Sequence, residues 1–221
     1  MSNSSLISYK KISPHKTSPR NHEIDTITIH CFVGQCTVET MGNCFSGSTE
    51  ASSNYGIGYD GKIGMFVEEK DRSWCSSNRS NDHRAITIEV ACENKHPYTI
   101  TDKAYASLIN LLTDICKRNN IKKLLWKADK SLIGQVNKQN MTVHRWFANK
   151  ECPGEYLYSK HGDIAKEVNK RLLDTEGSTL GDDIDVLTKK GVINTPEYWK
   201  MIAPNIKHLE ALINNMAKAI K

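Results

Sequence analysis

The sequence predicts an α/β fold, with a mixed central β-sheet flanked by helices and a small three-helix segment at its C-terminal end. Three observations carry this. Residues 24–33 and 84–92 are β-branched runs of strand length, the second nearly continuous in apolar residues, as a central strand covered on both faces must be. Residues 101–119 repeat apolar side chains at i, i+3, i+4 spacing, which is a helix with one buried stripe. Residues 180–221, beyond a polar Gly/Ser/Thr stretch, divide into three short helical patterns.

At 221 residues the chain has room for one substantial domain and a small appendage. It divides into an extended N-terminal arm (1–23), a main domain (24–174), a linker (175–179) and a small helical C-terminal domain (180–221). With 38% hydrophobic and 25% charged residues it has the composition of a globular protein. No apolar run approaches the roughly 20 residues of a membrane helix. The N-terminus lacks the apolar core of a secretory signal, so the product is expected to accumulate in the cytoplasm. Seven cysteines, an odd number without paired spacing, point to free thiols. Cys31 and Cys36 lack the second pair of a structural zinc knuckle, and Cys92 and Cys116 sit among apolar residues as small core fillers. The net charge of +5 is dispersed, with no Lys/Arg run longer than two. That argues against a nucleic-acid partner and suits an anionic polymer as substrate.

In chain order, residues 1–23 are polar and carry Pro14 and Pro19, so they are expected to lie over the domain without regular structure. Residues 24–33 read as a half-buried strand, with Thr26, Thr28 and His30 on one face and Ile27 and Ile29 on the other. Thr37 caps a short helix to Cys44, and residues 46–53 form a small polar loop suited to line a groove. Residues 54–67 make a β-hairpin around Asp60-Gly61, the type I′ dipeptide, and 72–78 are a loop. The 101–119 helix, capped by Thr101, buries Tyr105, Leu108, Ile109, Leu112, Ile115 and Cys116. Residues 122–126 read as a short strand, 127–140 as a polar loop and 161–173 as the helix closing the main domain. Beyond the linker, Leu180, Ile184 and Leu187 mark a helix that Gly191 ends, and Thr195-Pro196 opens a second. Leu209, Leu212, Ile213, Met216 and Ile220 give the third its apolar stripe. A piece of about 42 residues is near the lower limit for independent folding, so it is expected to dock on the main domain or self-associate.

The chemistry concentrates in residues 141–154: the end of a strand carrying His144, then a loop with Lys150, then Cys152 closed off by Pro153-Gly154. An imidazole and a thiolate so presented bind one Zn²⁺ if a third ligand arrives from elsewhere. The best third ligand is His30, at the carboxyl end of its strand, where α/β sheets present chemistry; the alternative is a satisfied surface histidine. Two histidines and a cysteine, with the fourth position left to water, are the ligand count of a catalytic zinc site. Glu89 is an acid inside an apolar strand. Buried carboxylates are rare unless paired or functional, so it is either a general base with a raised pKa or half of a salt bridge. The competing chemistry is a cysteine hydrolase using Cys31 or Cys152 with a histidine base. Pro153, directly after Cys152, keeps that thiol from opening a helix one residue on.

Four pieces in this order resemble the zinc-dependent N-acetylmuramoyl-L-alanine amidases: Ile27-Thr-Ile-His30, the run from Ala51 to Ile63 around the hairpin, Arg84-Ala-Ile-Thr-Ile-Glu-Val90, and His144 with Lys150-Glu-Cys-Pro-Gly154. This fold is shared by phage lysozyme-amidases, bacterial anhydromuropeptide amidases and animal peptidoglycan recognition proteins, and the resemblance covers residues 22–173. It implies Zn²⁺ held by His30, His144 and Cys152, Glu89 as general base, and Lys150 steadying the oxyanion. Ser53 stands where some members carry a catalytic tyrosine and Asn54 where many carry histidine. Cys75, after Trp74, stands where histidine is common. Ser53, Asn54, Trp74 and Cys75 are therefore the expected substrate contacts, with altered detail. The substrate implied is peptidoglycan, cut between the lactyl group of N-acetylmuramic acid and L-alanine. The overall flavour is that of an endolysin from a phage or prophage of a Gram-positive host, released through holin-type pores. The C-terminal helices would serve wall targeting or oligomerisation. A non-catalytic peptidoglycan-binding module on the same fold is the alternative; loss of the cysteine ligand usually marks that class, and Cys152 is present.

Overall fold

The computed structural model describes residues 2–173 and 180–220. The expected linker at 175–179 lies outside them. The chain forms two compact units, Met1–Lys170 and Arg171–Lys221.

In the first unit, Thr26–Val33 (β3) and Ala85–Cys92 (β7) pair in parallel along their whole length, with His30 directly opposite Glu89. Tyr55–Ile57 (β4) runs parallel to β7, and Ile63–Met65 (β5) returns antiparallel to β4. Met141–Thr142 (β8) adds a parallel edge beside β3. The opposite edge is Tyr9–Lys10 (β1), parallel to β5, which completes a six-stranded mixed sheet. Lys16–Thr17 (β2) and Arg72–Ser73 (β6) form a separate two-stranded ribbon. The N-terminal arm is thus partly strand. Its Pro and Lys residues conceal this, because each strand is two residues long and forms only against its partner.

Helix Val38–Ser46 (α1) starts where Thr37 Oγ1 accepts from the Thr40 amide. Its Val38, Met41 and Phe45 pack with Phe66 and Ala91 in one apolar cluster. Helix Asp102–Arg118 (α3) starts at Thr101, whose hydroxyl accepts from the Ala104 amide, and seals Leu108, Ile109, Leu111 and Leu112 from water. The expected stripe holds, with Tyr105 only half-buried. Strand β3 is covered on both faces: Ile27, Ile29, Thr28 and His30 are all 0% exposed. It is a buried central strand, although its Thr/Ile alternation read as half-buried.

Three local expectations change. The hairpin turn is wider than two residues: the Gly58 amide donates to the Lys62 carbonyl, and only Gly61 takes a positive φ, +84°. A type I′ turn needs two such residues, and Asp60 is not one. Residues 122–126 are not a strand. The Asn169 carboxamide bonds both the amide and carbonyl of Leu124, and Asn140 bonds Leu125 and Lys123. Side-chain amides here replace a neighbouring strand. The last helix of the domain, Gly154–Leu173 (α4), begins at Gly154 rather than His161. Pro-Gly reads as a breaker, yet Gly154 occupies the first helical position at φ +78°, against the Tyr98 ring.

Gly56 lies in β4 where a Cβ would sit 2.6 Å from Phe66 and 2.7 Å from the Met41 sulfur. Overpacking on that scale costs about 1–3 kcal/mol. Gly56→Ala is therefore expected to lower the urea midpoint of the domain with an unchanged denaturant slope.

The second unit comprises Leu180–Lys189 (α5), Pro196–Ile202 (α6) and Leu209–Ala219 (α7). Ile184, Leu187, Ala203, Ile213 and Ala217 form its core. Gly191, at φ +71°, ends α5 as expected. Thr195 precedes α6 without a side-chain cap. Leu212 and Met216 are exposed, so the α7 stripe is narrower than its sequence suggests. Among the described residues no helix is long and apolar enough to cross a membrane.

Candidate metal centre and active site

The middle of β3 and of β7, the residues just beyond β8 and the loop entering α4 meet at one point; His30, expected at the carboxyl end of its strand, is followed by three more residues paired with β7. Burial depresses the His30 pKa well below its ordinary value, and His144 is lowered by burial and by Lys150. Both imidazoles are therefore neutral at neutral pH, the state that binds a cation. Cys152 Sγ is 3.3 Å from His30 Nδ1, and one donor atom from each of His30, His144 and Cys152 lies within 4.8 Å of the others. His144 sits just past β8, opening a short 3₁₀ turn rather than ending a strand. His30 Nε2 and Glu89 Oε2 are sealed from solvent without a hydrogen-bond partner among the described residues. Orphaned buried polar atoms are costly, and two beside a His₂Cys donor set fit a site that receives a cation and a polar substrate.

Glu89 is drawn to this point by its register with His30. Burial, and secondarily Cys31, push its carboxyl up to about 8. Among the described residues no basic side chain pairs with it; the Cys75 thiol donates to it, 3.8 Å from Oε1. Burial and Glu89 hold that thiol well above its ordinary pKa, so Cys75 stays a protonated donor. Among the described residues Glu89 has no salt-bridge partner, and burial is what shifts its carboxyl upward. Cys31 adjoins the site as well. Hydrogen bonds with Cys152 and Cys92 lower its pKa, while the same contact with Cys31 raises that of Cys152.

A family model described as N-acetylmuramoyl-L-alanine amidase matches residues 20–155, which span all of these residues. The chain belongs to that amidase family. Its reaction is hydrolysis of the amide between the lactyl group of N-acetylmuramic acid and the L-alanine of the peptidoglycan stem peptide. No curated protein matches the chain. Among solved structures, a mutant endolysin from Bacillus subtilis superposes with a TM-score of 0.52 at 18% identity, over 72% of this chain and 97% of that one. A selenomethionine derivative of AmpD gives 0.52 at 17% identity, over 73% and 96%. At these identities the likeness is one of fold.

The remaining expected contacts of the amidase fall into two groups. Lys150 is exposed and borders an open cavity of about 330 Å³ with Arg145, Tyr98 and Glu151, beside the cysteine. Cys75 faces Glu89. Ser53 and Asn54 serve the scaffold instead. Ser53 Oγ lies 2.7 Å from the Tyr55 carbonyl and 2.9 Å from that of Thr87. Asn54 accepts from the Thr87 amide and donates to the Val67 carbonyl, tying the hairpin to β7. Both are 0% exposed, so neither reaches a groove. Trp74 is half-buried under the arm, with Nε1 donating to Thr17 Oγ1 at 3.0 Å. Polar residues next to a catalytic strand looked like substrate contacts; the pairing of β4 with β7 consumes them. His83 is buried, with Nδ1 accepting from the Asn21 amide. His161 is buried against Trp126, its Nδ1 2.6 Å from the Leu157 carbonyl, as a packing residue.

Sequence reasoning passed over a polar layer beneath the site. Asp82 accepts from the Cys75 and Ser76 amides and from Ser76 Oγ. Asn81 joins Thr28, two residues before His30, to Thr142, two before His144. Asn78 caps helix Arg79–Arg84 (α2) through the Asn81 amide. The cap and the short-range Asp82 contacts lie within one stretch of sequence; the links of Asn81 to Thr28 and Thr142 depend on segments far apart in the chain.

Proposed function

We propose that the chain is a zinc-dependent endolysin-type amidase in which His30, His144 and Cys152 hold Zn²⁺, Glu89 is the general base and Lys150 steadies the oxyanion. The observation that carries this is the raised carboxyl of Glu89 directly beside a neutral His₂Cys donor set. Zn²⁺ there would supply Lewis acidity to the scissile carbonyl and acidify the attacking water. Glu89 takes the proton of that water and delivers it to the departing alanine nitrogen. Lys150 places a positive charge beside the oxygen on which negative charge develops. The apolar wall of β7 around Glu89 keeps the carboxylate poorly solvated, and so basic enough for the transfer.

The bacteriolytic, phage-type role in a Gram-positive host extends the same reading and rests on the resemblance of the four sequence pieces. For the C-terminal unit we infer wall targeting or self-association, supported by Tyr198, Met201, Leu212 and Met216, apolar side chains left exposed. The deciding experiment incubates the protein with purified Gram-positive cell walls. New alanine amino termini without new reducing sugars are expected. Reducing ends would mean glycosidase action, and wall binding without any release would mean a recognition module.

A further inference from the structure

We propose that Ser77 is a positioning residue for the metal centre: its hydroxyl takes up Nε2 of His144 and so commits Nδ1 to the ion. The inference rests on the assignment of His144 as a ligand made above. Ser77 Oγ lies 2.9 Å from His144 Nε2. With the hydroxyl accepting, Nε2 carries the proton, and the lone pair is on Nδ1, the one remaining ring nitrogen. Ligand histidines are generally fixed this way, through the nitrogen that does not touch the metal.

The backbone supports a role for the side chain. Ser77 has φ +60°, the left-handed region that residues other than Gly, Asn and Asp seldom adopt. It is held there from both sides. The Cys75 and Ser76 amides are clamped by Asp82, and Asn78 is pinned as the cap of α2. Glycine would fit this conformation with less strain. A serine with its hydroxyl on His144 trades that ease for a hydrogen bond to the metal ligand. The same clamp through Cys75 serves Glu89, so Asp82 holds in place both the donor to the base and the orienter of a ligand.

Two variants separate this role from a structural one. Ser77→Ala removes the hydroxyl and keeps the strain; Ser77→Gly removes both. Each is measured in the full chain by zinc competition against a chromophoric chelator, by thermal melting of the metal-free protein, and by the visible spectrum of the Co²⁺-loaded protein. The expected result is a roughly tenfold loss of zinc affinity in both variants, with shifted Co²⁺ bands. The metal-free Ser77→Gly chain should meanwhile melt no lower than wild type. Wild-type affinity and spectrum in both variants would overturn the role of Ser77 alone. Affinity that falls only as melting temperature falls would reduce Ser77 to a structural residue. A wild-type chain that takes up no zinc would overturn this role together with the metal reading.

Discussion

Cys152→Ser, or removal of divalent cations by a chelator, is expected to reduce lactyl-amide hydrolysis by about 10³-fold or more. Added Zn²⁺ should restore the chelated wild type and leave the variant inactive. The size follows from the site. Cys152 Sγ lies 3.3 Å from His30 Nδ1, and a serine hydroxyl does not ionise near neutral pH to replace a thiolate. The two neutral imidazoles alone leave a cation without charge neutralisation beside a carboxyl that is itself protonated below about 8. Release of alanine amino termini from cell walls measures the effect, and an unchanged melting curve at pH 7 shows that the fold is intact. Activity that survives chelation but is lost to iodoacetamide would instead establish a thiol hydrolase.

Glu89→Gln is expected to lower kcat by about 10² to 10⁴ while making the metal-free fold more stable in alkali. The Glu89 carboxyl rises from 4.5 to about 8 on folding, by burial first and by Cys31 second. Between those values the folded chain binds more protons than the unfolded chain, so stability falls as pH rises through that window. Above about pH 8 the full cost of the desolvated carboxylate is present; below pH 4.5 none of it is. Glutamine mimics the neutral acid at every pH. Melting temperatures of the two chelated proteins should therefore coincide near pH 4 and separate by several degrees, Gln higher, at pH 9. In the wild type kcat/KM should rise with pH as Glu89 ionises, and that limb should vanish in the variant. A melting-temperature gap independent of pH would remove Glu89 as the buried titrating group.

Much of this site was legible because its chemistry is local in sequence. His144, Lys150 and Cys152 fall within one loop, and His30 and Glu89 each interrupt a β-branched run whose register could be guessed. The burial of Ser53 and Asn54 was not legible. A polar side chain beside a strand has the same sequence whether it faces a groove or bonds the next strand, and only the pairing of β4 with β7 decides between them. The same holds for 122–126, where Asn140 and Asn169, distant in the chain, supply the bonds that a strand partner would have made.

The sequence by itself determined the α/β class, the buried stripe of α3 and the three C-terminal helices, because periodicity is a property of neighbours along the chain; the proposed metal and catalytic set rests also on the resemblance of the four sequence pieces. The tertiary structure decided the rest. The pKa of Glu89 depends on how much water the sheet excludes. The strands of the N-terminal arm form only against β5 and β6. Asn81 and Ser77 acquire their roles from hydrogen bonds that close when segments more than fifty residues apart meet, as Ser77 and His144 do across 67 positions.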